Sequence, residues 1–123
     1  MTVEERTTAE AAVVSTVLDY FEGWFDGDAA RMERALHPSL AKRALATDER
    51  TLDETTAEWM IEATAGGVGR ERDPGDRGIE VEVEDIHGTI ANATVRSSVY
   101  REYVQLVRTP EGWKIVNALW GLS

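Results

Sequence analysis

Apolar and acidic residues alternate along Ile79-Glu80-Val81-Glu82-Val83-Glu84, the period-2 pattern of a strand with one dry face and one wet face. His87-Gly88 supplies a turn, because glycine takes the positive φ that hairpin loops require. Thr89 to Val99 is again β-branched and alternating. A loop of His87-Gly88-Thr89 sets Val83 opposite Ala93, Val81 opposite Val95 and Glu80 opposite Arg96, whereas a tighter loop mixes the faces. A second hairpin joins Arg101–Arg108 to Trp113–Trp120 through Thr109-Pro110-Glu111-Gly112, with Pro and Gly at the positions a type I turn favours. It predicts Val107 opposite Ile115, Gln105 opposite Asn117 and Tyr103 opposite Leu119 on one face. The other face carries Val104, Leu106, Val116, Ala118 and Trp120. Both faces are substantially apolar, so neither is expected to lie open to water. The face with Gln105, Asn117 and Tyr103 is expected to line an internal pocket. The purely apolar face is expected to meet a second copy in a homodimer.

The residues before the sheet read as helices built to cover it. Thr7-Thr8-Ala9-Glu10 has the form of a capping box. Val14, Val17, Leu18, Phe21, Trp24 and Phe25 then fall on one helical stripe, with Glu10, Asp19, Glu22 and Asp26 outside it and Val13 and Tyr20 on its flank. Gly23 either permits a close backbone approach or begins the helix end that Gly27 completes. Asp28 caps a short helix whose Ala29, Met32 and Leu36 face inward, and His37-Pro38 stops it. Leu40–Arg43 and Arg50–Leu52 are expected to pair as a small hairpin across Ala46-Thr47-Asp48-Glu49. Thr55-Thr56-Ala57-Glu58 is a second capping box, opening a helix with Trp59, Met60 and Ala63 on one side. Gly66-Gly67 ends that helix, and residues 66–78 read as a glycine-rich surface loop.

At 123 residues the chain is expected to form one domain, 1–123. The absence of cysteine excludes disulfides, a thiol nucleophile and a cysteine metal site. A net charge of −10 argues against nucleic acid and anionic membranes as partners. No run approaches the roughly 20 apolar residues that cross a bilayer, and no leader pattern is present, so a cytoplasmic protein is expected. The Glu80-Glu82-Glu84 ladder reads as a solvated face, since alternate residues on a strand stand about 7 Å apart, too far for one ion. No metal and no cofactor is expected.

The candidate chemistry follows from the pattern. Gln105 and Asn117, facing each other in a sheet interior, need partners from each other, water or a ligand. Tyr20, Trp59 and Tyr103 either form a cage for a flat ligand or are ordinary core between the first helix and the sheet, the role expected of Trp24. His37 is either a proton shuttle at the cavity mouth or a helix-end residue set against the last carbonyls. His87 belongs to a turn.

The order helix, helix, hairpin, helix and long sheet, with Tyr20-Phe21-Glu22-Gly23-Trp24-Phe25-Asp26-Gly27-Asp28, Leu36-His37-Pro38 and Trp113-Lys114-Ile115-Val116-Asn117-Ala118-Leu119-Trp120, resembles the nuclear transport factor 2-like superfamily. Within it the chain looks like the branch of Putative lumazine-binding and polyketide-cyclase-like proteins. The resemblance implies an α+β, cystatin-like fold: a cone-shaped curved antiparallel sheet wrapped around the N-terminal helices, with a cavity between them and pairing of two copies through the sheet. Relatives include steroid isomerases, polyketide cyclases, dehydratases and proteins without chemistry, so the fold alone does not choose among them. The isomerases set a Tyr and a protonated Asp against the substrate oxygen. Tyr20 stands near a suitable position here, but the hairpin offers amides at its pocket-facing sites, not acids. The expected function is binding of a small, flat, partly apolar molecule. Proton-transfer chemistry by His37 or Tyr20, or a dimerisation module without ligand, are the alternatives.

Overall fold

The computed structural model describes residues 1–123. Helix α1 (Val3–Asp26) is followed by α2 (Ala29–Ala35), β1 (Leu36–Leu45), β2 (Leu52–Thr55), α3 (Ala57–Ala65), α4 (Val68–Glu71), β3 (Glu80–His87), β4 (Ile90–Arg96), β5 (Tyr100–Thr109) and β6 (Gly112–Leu122). The strands form one curved sheet in the order β2-β1-β6-β5-β4-β3. All neighbours are antiparallel except β1 and β6, which run parallel. The helices cover one face of this sheet, and the fold is α+β.

Helix α1 starts earlier than the expected capping box. Thr2 is its N-cap, accepting from the Glu5 amide at 3.0 Å, while Thr7 sits inside the helix and donates to the Val3 carbonyl. The buried stripe is centred on Val13, Val17, Tyr20, Phe21, Trp24 and Phe25. Val13 and Tyr20, expected on the flank, are therefore core, and Val14 and Leu18 are only half-buried. Gly23 is the close-approach point: a Cβ there would lie 3.1 Å from the Arg31 Cβ on α2.

Asp19, expected outside the stripe, is buried. It accepts from Arg31 Nε and from both Arg34 Nε and Nη2, each at 2.9 Å, which ties α1 to α2. Burial raises the Asp19 pKa, but the hydrogen bonds from Arg34 and Arg31 outweigh it and hold the carboxyl below its usual value. A depressed folded pKa stabilises above the unfolded value and loses that contribution as pH falls through the folded one. Asp19→Asn is therefore expected to cost about 1–2 kcal/mol at neutral pH, reduced by solvent reaching the arginines. The gap between variant and parent closes below about pH 4, the unfolded carboxylate range. Urea unfolding at pH 7 and pH 3 checks this; a gap that does not narrow would count against it.

The β1–β2 hairpin forms, but its second strand lies further along than expected, with Lys42 opposite Thr55 and Leu45 opposite Leu52. Helix α2 passes directly into β1 at Leu36, where Pro38 forbids another helical turn. Thr56, one residue inside the expected capping box, caps α3 by accepting from the Trp59 amide. The expected loop over 66–78 contains a further helical turn, α4, seated on α1. A Cβ on Gly69 would fall 2.1 Å from the Trp24 carbonyl oxygen, so only glycine allows that contact.

In the β3–β4 hairpin the expected pairs Val81–Val95, Val83–Ala93 and Glu80–Arg96 all occur. The loop is nevertheless the shorter one, because His87 pairs with Ile90, and a bulge at Glu84 restores the register. Past the bulge the inward position passes to Ile86. The β5–β6 hairpin repeats the device. Gln105–Asn117 and Tyr103–Leu119 pair as expected, but Val107 faces Lys114, not Ile115, because the register shifts at Val116.

The two faces of this hairpin are opposite to expectation. Val104, Leu106 and Ala118 are buried in the core against the helices, as is Ile115. They are not available for the homodimer contact assigned to them. Trp120 is half-buried against the same core, and Val116 is half-buried at the bulge. Tyr103, Gln105, Asn117 and Leu119 lie on the exposed outer face. The amides need no ligand to be satisfied there. Asn117 donates to Gln105 at 2.9 Å and Gln105 donates to Asn92 at 3.1 Å, in reach of water.

Candidate functional site

A cavity lies between α1, α3, α4 and the inner face of the sheet. It measures about 80 Å³ and is lined by Tyr20, Phe21, Trp24, Lys42, Thr55, Trp59, Met60, Arg72, Tyr100, Glu102 and Trp120. Its inner end is dry: Tyr20, Lys42 and Glu102 are 2%, 7% and 3% exposed. Its rim is wet, with Arg72 exposed and Trp59 half in solvent.

The inner end holds a closed polar cluster. Tyr20, on the buried stripe of α1, donates to Glu102 Oε1 at 2.7 Å. Lys42 Nζ lies 3.3 and 3.4 Å from the two Glu102 oxygens and also donates to the Tyr20 hydroxyl. The strands explain why these groups meet. Lys42 on β1 stands opposite Ala118 of β6, and Glu102 on β5 stands opposite Trp120 of β6. β1 and β5 are two strand spacings apart, about 9–10 Å. The long lysine stem crosses that gap beside the small Ala118. The ammonium also sits 4.8 Å from the Tyr20 ring centroid and 5.4 Å from that of Trp120, where the ring faces attract a cation.

Burial pulls the Lys42 pKa down, partly countered by Glu102. Burial, and then the Glu102 charge, push the Tyr20 phenol well up. A buried lysine, carboxylate and phenol that satisfy one another in a cleft can hold a polar group of a ligand or move a proton. No buried side-chain polar atom anywhere lacks a partner.

An aromatic wall completes the site. Tyr100 stacks on Phe25 at 5.9 Å, meets Trp120 edge-on at 5.7 Å and accepts from Trp24 Nε1 at 3.2 Å. Rings held this way keep the cavity open without collapse onto the polar end.

Of the residues expected at the site, Tyr20 and Trp59 line the cavity, as does Trp24. Tyr103, Gln105 and Asn117 do not: they occupy the opposite face of the sheet. His37 is also elsewhere, at the start of β1, where Nδ1 accepts from the Ser39 amide. It is neither at the mouth nor capping α2 carbonyls. His87 ends β3 at the turn. Lys42, Glu102, Arg72 and Tyr100 were missed. The signal for Lys42 and Glu102 was charge interrupting an apolar alternation, in Leu40-Lys42-Ala44 and in Tyr100-Glu102-Val104-Leu106, whereas Arg72, in a Gly-Arg-Glu-Arg-Asp-Pro stretch, had none. No cluster of three or more His, Cys, Asp or Glu side chains with metal-binding geometry is present. No helix is long and apolar enough to cross a membrane.

Helices packed over a curved sheet with a cavity on its inner face define the nuclear transport factor 2-like class, and solved structures match the chain as a whole. One is a nuclear transport factor 2-like protein of unknown function from Silicibacter pomeroyi, with TM-score 0.72, 16% identity and 100% of both chains covered. Another, from Shewanella baltica, has TM-score 0.75 at 15% identity, covering 100% of this chain and 98% of that one. A third, with a cystatin-like fold, from Novosphingobium aromaticivorans, has TM-score 0.70 at 16% identity over 96% and 84%. No curated protein matches the sequence. The family model described as Putative lumazine-binding matches residues 8–121, and the chain belongs to that family.

Proposed function

We propose that this protein binds a small molecule through one flat, largely apolar ring inserted in the inner cavity. The observation that carries this is an aromatic cavity whose deep end is a fully paired Tyr20–Lys42–Glu102 cluster and whose mouth is open at Trp59. The family description points to the same class of flat ligand. About 80 Å³ is roughly half the 150 Å³ that holds benzene in an engineered apolar cavity. A bound ring therefore keeps part of its surface at the rim, and its substituents leave past Trp59.

A second reading, proton-transfer chemistry, is favoured by one feature: Glu102 is a buried carboxylate that lines the cavity beside Tyr20. In that case Glu102 takes the proton and Tyr20 steadies the developing charge.

Trp24, Trp59 and Trp120 line the cavity, so tryptophan emission reports occupancy. Phenol or benzamide is expected to give saturable quenching with a Kd between about 0.1 and 10 mM, the range for ligands of so few atoms. Trp59→Ala is expected to weaken it about tenfold. Emission unchanged up to the solubility limit would end the binding proposal.

A further inference from the structure

We propose that the ligand bears an anionic group, of carboxylate type, on the substituent that leaves the cavity, and that Arg72 reads it. This rests on ring binding in the cavity as set out above. Three charged side chains line the cavity, and two of them, Lys42 and Glu102, cancel each other as a buried pair. Arg72 is the remaining charge. Like Arg50, Arg70, Arg101 and Arg108 it forms no ion pair, and of these five it alone lines the cavity.

The position of Arg72 is built, not incidental. It follows α4 directly, its amide bonding back to the Gly69 carbonyl. α4 is seated on α1 at two points: Gly69 lies against the Trp24 carbonyl, and the Arg70 stem lies over Gly27. The Arg72 backbone is thereby fixed at the rim, and its exposed side chain lines the opening that the ligand's substituent must pass. The guanidinium's planar fork of donors matches a carboxylate. With a net charge of −10 the molecule as a whole repels anions, so a local cation at the mouth is needed to admit one.

The test is tryptophan-emission titration with phenylacetate, phenylacetamide and phenethylammonium at low ionic strength. Wild type, Arg72→Gln and Arg101→Gln are compared; the last makes the same charge change on the exposed outer sheet. Phenylacetate is expected to bind about three- to tenfold tighter than phenylacetamide, and phenethylammonium weakest, as for a solvent-exposed contact. Arg72→Gln is expected to bring acid and amide to parity, and Arg101→Gln to preserve both the preference and the affinity for the amide. About 0.5 M salt is expected to erase it. Equal binding of acid and amide by wild type, or a preference that survives Arg72→Gln, would overturn the role of Arg72 while ring binding stands. If none of the three probes binds, the cavity proposal fails and the anion preference fails with it.

Discussion

Lys42→Met is expected to lower stability by about 3–5 kcal/mol, because it leaves the Glu102 carboxylate buried without its cation. The cost comes from the stranded charge more than from the lost attraction. Removing both charges together, as Lys42→Met with Glu102→Leu, is therefore expected to recover most of the loss and to approach or exceed wild-type stability. Urea unfolding of the four members of this cycle measures it. A double variant no more stable than the single one would show that the cluster holds the fold by attraction. If the double variant is stable, retention of the pair points to the ligand, since an apolar wall of the same volume would serve the core as well.

Gly69→Ala is expected to cost about 2 kcal/mol net. Alanine gains about 1 kcal/mol in helix propensity. Its Cβ, however, would lie 2.1 Å from the Trp24 carbonyl oxygen and 2.7 Å from the Trp24 carbonyl carbon. Backbone cannot yield there as a flexible side chain would, and overpacking of this kind costs about 1–3 kcal/mol or more. α4 must lift from α1, so Arg72 moves and the preference for phenylacetate over its amide shrinks along with stability. Gly121→Ala is the control: nothing lies within 4 Å and it is not a positive-φ glycine, so a change within about 0.5 kcal/mol is expected. A Gly69→Ala variant as stable as Gly121→Ala would refute the seat.

The helix-then-sheet order and the registers of the two long hairpins, up to their bulges, were legible, because alternation and turn residues act locally. Which face of the β5–β6 hairpin looks inward was not. In β3 the inward positions run Val81, Val83 and then Ile86. In β6 they run Trp113, Ile115 and then Ala118. Each change of phase is a bulge, at Glu84 and at Val116, and a strict period-2 reading passes over it. Carrying Ile115 onward with Asn117 put the amides inside and Val104 outside. The neighbouring strand holds the correction: Ala91, Ala93 and Val95 of β4 pair with Leu106, Val104 and Glu102, so those even positions of β5 share the core face. Glu102 was the one acid in that row and Lys42 one of only two lysines in the chain. Opposite charges that each break an apolar row mark a buried pair, but their partnership is a matter of sheet order. No local pattern predicts that β1 lies beside β6.

That parallel pairing of β1 with β6 has a consequence during synthesis. The amine and the carboxylate of the cluster sit on strands whose shared neighbour, β6, comes after both of them in the chain. Until Gly112 and the residues beyond it emerge, the first hairpin has a bare edge and the later hairpins have another. A polypeptide stopped short there is an aggregation-prone, protease-sensitive intermediate with its recognition chemistry divided between two unjoined pieces. Lys42 and Glu102 therefore meet only once β6 has joined the two pieces into one sheet.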